Sequence, residues 1–289
     1  MTAFATEDIE YLRHGSKPLL LRLYRPEGQG PFPAVVELHG GAWHNGDRTQ
    51  DRHRHKAMAR SGIVAASLDF RHGVEGAYPK GVADINYAIR WLKAHARDFA
   101  IAAARVGISG QSSGGHLAML AAMRPADPRY TAIPLPPGLP ATDAGVRCAV
   151  LSWPVINPLS RYRHAQHGLK SGASWADDLI NGHDEFWGSE GNMAEGSPTL
   201  ILERGEKVAT PPALWIQAPN DNNHDYRDPD GGFDGNEPQR FVDRYRKAGG
   251  AIDLVYFKAP LRFTSVAPDS PAARDAFARM TAFLHRHLA

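Results

Sequence analysis

The chain has 289 residues, of which 43% are hydrophobic and 22% charged, and its formal net charge is +2. This composition excludes a disordered protein, and the small net charge argues against a nucleic-acid or membrane-surface partner. The single cysteine, Cys148, excludes an intramolecular disulfide. The N-terminus lacks a basic stretch followed by an apolar one, and no apolar run approaches the roughly 18 residues that a membrane span needs. We therefore expect a cytoplasmic protein.

Short apolar runs alternate with amphipathic stretches, which predicts an α/β fold with a mostly parallel sheet covered by helices on both faces. The predicted strands are 9–13, 19–24, 34–38, 63–68, 105–109, 146–152, 212–217 and 252–257. The predicted helices are 49–61, 80–95, 113–122, 238–248 and 272–287. Residues 154–208 are rich in Gly, Ser, His and Trp and show only short helical patterns. We interpret residues 1–289 as a single domain in which this segment forms a partial cap.

The strongest motif is Gly-Gln-Ser-Ser-Gly-Gly at residues 110–115, between a predicted strand and a predicted helix. A strand-to-helix turn of the G-x-S-x-G type is so tight that the serine is strained and glycines must flank it. The serine then projects from the carboxyl edge of the sheet, above a helix N-terminus that favours negative charge. The motif therefore predicts Ser112 as a nucleophile.

A second motif, His-Gly-Gly-Ala-Trp at residues 39–43, directly follows the predicted strand 34–38. Two adjacent glycines let the backbone approach a bound carbonyl, so Gly40, Gly41 and the N–H of Ser113 are predicted to form an oxyanion hole. Trp43 and Trp153 each follow the carboxyl end of a predicted strand. We expect both to line a substrate pocket, with burial in the core as the alternative.

These two motifs, with the serine motif extended by His116, resemble the esterase/lipase branch of the α/β-hydrolases, including kynurenine formamidases, acetyl esterases and hormone-sensitive-lipase-like proteins. The resemblance covers about residues 15–287. It implies an α/β-hydrolase fold with an eight-stranded sheet and a small partial cap. It also implies a serine hydrolase that cleaves a small carboxylic ester, or an aryl amide or formamide, through an acyl-enzyme on Ser112. No cofactor or metal is expected, and a homodimer is allowed.

The resemblance places the catalytic acid after a late strand, where Asp221 follows residues 212–217 and Asp225 and Asp228 are nearby alternatives. The family's histidine follows the last strand, in a segment similar to Tyr-Pro-Gly-x-Pro-His-x-Phe. Residues 256–263 read Tyr-Phe-Lys-Ala-Pro-Leu-Arg-Phe, so Leu261 stands where the histidine is expected. Without an imidazole, nothing accepts the proton of the attacking serine.

A replacement base must come from another histidine. His224 lies three residues after Asp221, on the rim of the sheet that carries Ser112, and is our candidate. His116 is predicted to pack inside the fold and His39 to support the oxyanion loop. Further loop histidines stay open as alternatives: His44, His72, His164, His167 and His183. The rival hypothesis is a non-hydrolytic relative that binds a ligand, or runs a lyase or cyclase reaction, in the same pocket.

Overall fold

The computed structural model describes residues 2–219 and 221–289. Its strands are β1 (Phe4–His14), β2 (Lys17–Pro26), β3 (Phe32–Leu38), β4 (Val64–Leu68), β5 (Ile101–Gln111), β6 (Ala149–Ser152), β7 (Ala213–Gln217) and β8 (Ile252–Tyr256). Its helices are α1 (Arg52–Arg60), α2 (Lys80–Ala94), α3 (Ser112–Met123), α4 (Pro158–Lys170), α5 (Ala176–Trp187), α6 (Glu190–Glu195), α7 (Pro198–Glu203), α8 (Glu237–Lys247), α9 (Phe263–Val266) and α10 (Pro271–Leu288).

The strands form one sheet in the order β1-β2-β4-β3-β5-β6-β7-β8. β1 pairs antiparallel with β2, and β2 pairs antiparallel with β4. The pairings from β4 through β3, β5, β6 and β7 to β8 are parallel. The predicted eight-stranded, mostly parallel sheet is confirmed. Its parallel strands end along one rim, where open α/β sheets place their ligands.

The central strands are buried on both faces, so each contributes alternate residues to two different cores. Val36, Leu151 and Trp215 belong to a core with α2 and α3. Their chain neighbours Val35 and Val150 point the other way, into a core with α1 and α10. Because strand side chains alternate between faces, continuous apolar runs become two packed layers, as a doubly covered parallel sheet requires.

Four helices, α4 to α7, occupy most of the segment between β6 and β7. The prediction of only short helical patterns here is wrong for α4 and α5, which have 13 and 12 residues. Both helices bury a narrow side made partly of polar residues, such as Arg161 and His183, and this obscures the apolar periodicity. The start of α4 is marked by Asn157, whose side chain accepts a hydrogen bond from the Ser160 N–H. The interpretation of one domain with a cap at 154–208 stays a prediction.

The N-terminal end of α3 packs tightly against the ends of β3 and β5. A Cβ atom at Gly114 would overlap the backbone carbonyls of Leu38 and His39. A Cβ atom at Gly110 would overlap the carbonyl of Gly114. The two glycines therefore allow the helix to start directly above the sheet and beside the loop that follows β3.

We expect Gly114→Ala to lower the free energy of unfolding by about 1 to 3 kcal/mol, because the added methyl group meets fixed backbone atoms. Urea denaturation of the purified variants measures this difference. The matched control is Gly191→Ala in α6, an exposed position where a Cβ atom meets only an ordinary contact at 3.7 Å. Equal unfolding free energies for the two variants would contradict the packing argument.

Candidate active site

Ser112 is the first residue of α3 and directly follows β5. Its backbone φ angle is +50°, in the left-handed region that residues with a Cβ atom rarely adopt. Such strain persists only where the surrounding structure holds it, here through the tight packing of α3 on the sheet. The turn exposes the serine hydroxyl at the carboxyl rim of the sheet.

A continuous hydrogen-bonded chain joins Ser112, His224 and Asp221. The Oγ atom of Ser112 lies 2.9 Å from Nε2 of His224. On the other side of the ring, Nδ1 of His224 lies 2.9 Å from both carboxylate oxygens of Asp221. A carboxylate only accepts hydrogen bonds, so the ring proton belongs on Nδ1, and Nε2 is left to accept the serine proton.

Asp221 and His224 lie in the same loop, between β7 and α8. A tight turn brings them together, because the N–H of His224 donates to the carbonyl of Asp221 at 3.0 Å. The Asp221 carboxylate also accepts hydrogen bonds from Nε2 of Gln217 and from the N–H of Asn223, at 3.3 and 3.2 Å. The acid is thus anchored to β7, and one turn of chain sets the position of the imidazole.

Leu261 lies in the loop after β8, borders the same cavity as Ser112 and His224, and is 42% exposed. Its hydrocarbon side chain accepts no proton. Among the described residues, the imidazole hydrogen-bonded to the Ser112 hydroxyl comes from the β7 loop instead.

Burial is the strongest influence on His224 and lowers its pKa, because the charged imidazolium loses water. Asp221 offsets part of this effect, whereas Arg161 and Arg262 lower the pKa further. Burial alone would raise the pKa of Asp221, but the attraction and hydrogen bond of His224 outweigh it, so the net pKa is lowered. At neutral pH the site therefore holds a neutral imidazole beside an ionised carboxylate, the state that a general base needs.

The loop after β3 crosses directly over the serine. A Cβ atom at Gly40 would lie 3.4 Å from the Cβ of Ser112, and one at Gly41, whose φ angle is +119°, would overlap Asn45. His39 supports this loop, since its Nδ1 donates to the carbonyl of Gly40 at 2.7 Å and its ring stacks on Phe70. Ser113 lies in the first turn of α3, where backbone N–H groups have no acceptor within the helix.

A cavity of about 360 Å³ opens at the serine and is bordered by Ser112, His224, Gly41, Trp153, Arg161 and Leu261, among other residues. Its size is within the range of small-molecule sites. Trp153 therefore borders the cavity, in the place expected for a pocket residue.

Trp43, contrary to expectation, lies outside the cavity lining. Its side chain is buried in the core, where Nε1 donates to Nδ1 of His116 at 3.2 Å and the ring contacts Phe186 and Trp187. The other ring nitrogen of His116 donates to the carbonyl of Gly196 at 2.9 Å. Both ring nitrogens of His116 thus take part in hydrogen bonds inside the core.

Within residues 2–219 and 221–289, no group of three His, Cys, Asp or Glu side chains is placed to hold a metal ion. Over the same residues, no helix is both long enough and apolar enough to cross a membrane.

The sequence is similar to those of several known esterases. The BD-FAE family model matches residues 21–132. The Mycobacterium tuberculosis protein named "Probable carboxylic ester hydrolase LipM" is 31% identical over 165 residues, 56% of this chain and 37% of that protein. Esterase LipQ of the same organism is 30% identical over 151 residues, 51% of this chain and 34% of that protein. The matches thus span only about a third of the length of these curated relatives.

Comparisons of the structure extend over nearly the whole chain. Esterase 2 of Thermogutta terrifontis, solved with propionate bound, is 26% identical with a TM-score of 0.72, over 97% of this chain and 94% of that chain. Carboxyl esterase 2 of Tuber melanosporum is 18% identical with a TM-score of 0.76, over 100% of this chain and 89% of that chain. The protein has the α/β-hydrolase fold. The predicted resemblance of this protein to esterases and lipases is confirmed.

We expect Asp221→Asn to lower the pKa of His224 further, because the variant removes the negative charge that stabilises the imidazolium. Titration of the ring by NMR, in wild type and variant, measures the change. Asp275→Asn on α10 is the control, because it removes an exposed carboxylate that does not border the cavity. An unchanged or higher pKa of His224 in Asp221→Asn would show that the carboxylate does not support the ring.

Proposed function

We propose that the protein is a serine hydrolase that cleaves a carboxylic ester of a small molecule through an acyl-enzyme on Ser112. The observation that supports this most strongly is the hydrogen-bonded chain in which Nε2 of His224 lies 2.9 Å from the Ser112 hydroxyl and Nδ1 lies 2.9 Å from Asp221. An alcohol at the usual pKa is a weak nucleophile, and a base within hydrogen-bond reach activates it. Similarity to named esterases favours an ester as the substrate.

In the first half of the proposed reaction, Ser112 Oγ attacks the ester carbonyl while His224 Nε2 takes the hydroxyl proton. The N–H groups of Gly41 and Ser113, with Gly40 beside them, stabilise the negative oxygen of the tetrahedral intermediate. Asp221 stabilises the imidazolium that forms and stays ionised. His224 then donates the proton to the leaving alcohol as the carbon–oxygen bond breaks, and the acyl group stays on Ser112.

In the second half, a water molecule attacks the acyl carbonyl and His224 accepts one of its protons. The same N–H groups stabilise the second tetrahedral intermediate. Its collapse releases the carboxylic acid and returns the proton to Ser112. An aryl amide or formamide follows the same steps with an amine as the leaving group, so it is the second substrate class of this proposal.

The non-hydrolytic alternative was suggested by Leu261, which stands where the family's histidine is expected. It loses that support because an imidazole from the β7 loop lies within hydrogen-bond distance of the serine. The comparisons likewise favour ester hydrolysis. A cytoplasmic location and a homodimer stay predictions.

We expect the wild type to hydrolyse p-nitrophenyl acetate and butyrate, and Ser112→Ala and His224→Ala each to reduce kcat by about 10⁴- to 10⁶-fold, because either change breaks the proton transfer. Release of p-nitrophenol measures the rate. His167→Ala, at an exposed position of α4, is the control and keeps the wild-type rate.

The same proteins are treated with paraoxon, which phosphorylates Thermogutta terrifontis esterase 2. Mass spectrometry is expected to find one diethylphosphoryl group on the wild-type peptide that contains Ser112, and none on Ser112→Ala. A wild type that neither turns over the esters nor takes the label would overturn the proposed function.

The pH dependence follows from the lowered pKa of His224. The protonated ring accepts no proton from Ser112, so kcat/KM is full above the pKa of His224 and falls as the pH drops through it. We therefore expect the acid limb of the profile to have its midpoint below 6.5, the ordinary pKa of a histidine. A midpoint above 6.5 in a profile that is otherwise Ser112-dependent would assign the limb to another group.

A further inference from the structure

Arg161, on α4, is a buried arginine without an ion-pair partner among the described residues. The side chain is 2% exposed, and its Nε and Nη1 atoms are buried without a hydrogen-bond partner in the described part of the chain. No carboxylate lies within ion-pair distance of it among residues 2–219 and 221–289. Burial of an unpaired charge is costly, so proteins rarely keep one without a function.

This arginine borders the same cavity as Ser112 and His224. Its Cζ atom lies 5.8 Å from the centre of the Trp43 ring, a cation–π contact that uses one face of the guanidinium and leaves Nε and Nη1 without an acceptor among the described residues. Burial lowers the pKa of Arg161 to about 10, so the group still carries its charge at neutral pH.

Four charged residues border the cavity, and the two carboxylates among them have other partners than Arg161. Asp221 is engaged by His224, and Asp178 is an exposed carboxylate whose nearest basic group is His44, at 3.9 Å. Arg262, after β8, is exposed and borders the cavity as a second guanidinium. Neither carboxylate is within ion-pair distance of Arg161 in the described part of the chain, so its buried guanidinium is left for an anionic group of a ligand.

We propose that Arg161 binds a free carboxylate carried by the substrate, so that the preferred substrates are anionic esters such as monoesters of dicarboxylic acids. The inference rests on the proposed function and specifies its substrate class. The planar guanidinium matches the two oxygens of a carboxylate, and a charge-assisted pair is stronger in a buried site than in water. A neutral ester leaves the buried guanidinium unpaired, so the site discriminates against it.

The first test compares p-nitrophenyl hydrogen glutarate with p-nitrophenyl methyl glutarate, which differ only in a methyl cap on the distal carboxylate. The background measured with Ser112→Ala removes spontaneous hydrolysis. In the wild type we expect kcat/KM to be about 10²-fold higher for the acid, the discrimination of one or two charge-assisted hydrogen bonds. In Arg161→Met we expect this ratio to approach 1, and in Arg161→Lys to recover in part. The succinate and adipate analogues test the chain length.

The matched control is Arg163→Met, on the same helix. Arg163 is partly exposed and pairs with Glu190 and Asp230, so its loss removes the same charge outside the cavity. The ratio for the two esters is expected to stay at the wild-type value in this variant. A fall equal to that in Arg161→Met would assign the effect to net charge and overturn the inference.

The second test measures binding without turnover. Isothermal titration of Ser112→Ala with glutarate is expected to show binding that dimethyl glutarate does not show and that Ser112→Ala with Arg161→Met loses. Urea denaturation separates binding from a structural role. Replacement of an unpaired buried charge by methionine is expected to leave the protein as stable or more stable, whereas a structural arginine predicts a loss.

Failure of the inference and failure of the proposed function have different signatures. Equal kcat/KM for the acid and the methyl ester in a Ser112-dependent enzyme would overturn the carboxylate preference and leave the hydrolase standing. Absence of both turnover and paraoxon labelling would overturn the hydrolase, while the glutarate titration would still report whether Arg161 binds a carboxylate.

Discussion

The architecture of the site depends on the close approach of α3 to the central strands. Ser112 adopts its strained φ angle because the helix begins immediately at the end of β5, and Gly110 and Gly114 remove the side chains that would prevent this. The helix also packs against the loop after β3, which lies over the serine, so one packing constraint positions both the hydroxyl and this loop. The other loops and helices that border the cavity place their side chains around the serine, whose position this contact determines.

The acid and the imidazole come from a single turn. Because His224 follows Asp221 by three residues, a local hydrogen bond between their backbones sets the relative position of the two side chains. Their geometry therefore depends little on how β7 and β8 are arranged relative to each other. The loop after β8 is left free to contribute Leu261 and Arg262 to the cavity wall.

Much of this arrangement was readable from local patterns. Alternating apolar runs predict the sheet, and the glycine spacing around Ser112 predicts the tight turn, because both follow from backbone geometry over a few residues. The position of His224 relative to Asp221, on the rim that carries Ser112, made it the candidate base. Where the remaining histidines and tryptophans point depends on loop conformations that no short pattern specifies.

The sequence predictions that were wrong concern features that depend on contacts between residues far apart in the chain. Ala42 and Trp43 both adopt positive φ angles, and this reversal of the chain directs the indole into the core instead of the cavity. In α4 and α5, polar residues on the buried side hid the helical periodicity. The burial of Arg161 is equally non-local, because the helix that carries it packs beside a cavity whose other walls are formed by loops far away in sequence.

The proposed nucleophile, base and acid lie on the rim of the sheet, whereas Arg161 lies on a helix inserted between β6 and β7. Under the two proposals, bond cleavage and selection of the substrate fall to different parts of the chain. The insert also packs against α3 and the loop after β3, since Trp43 contacts Phe186 and Trp187 and His116 donates to the carbonyl of Gly196. Substitutions in the insert that keep these contacts can therefore change which substrate is selected while the reaction stays the same.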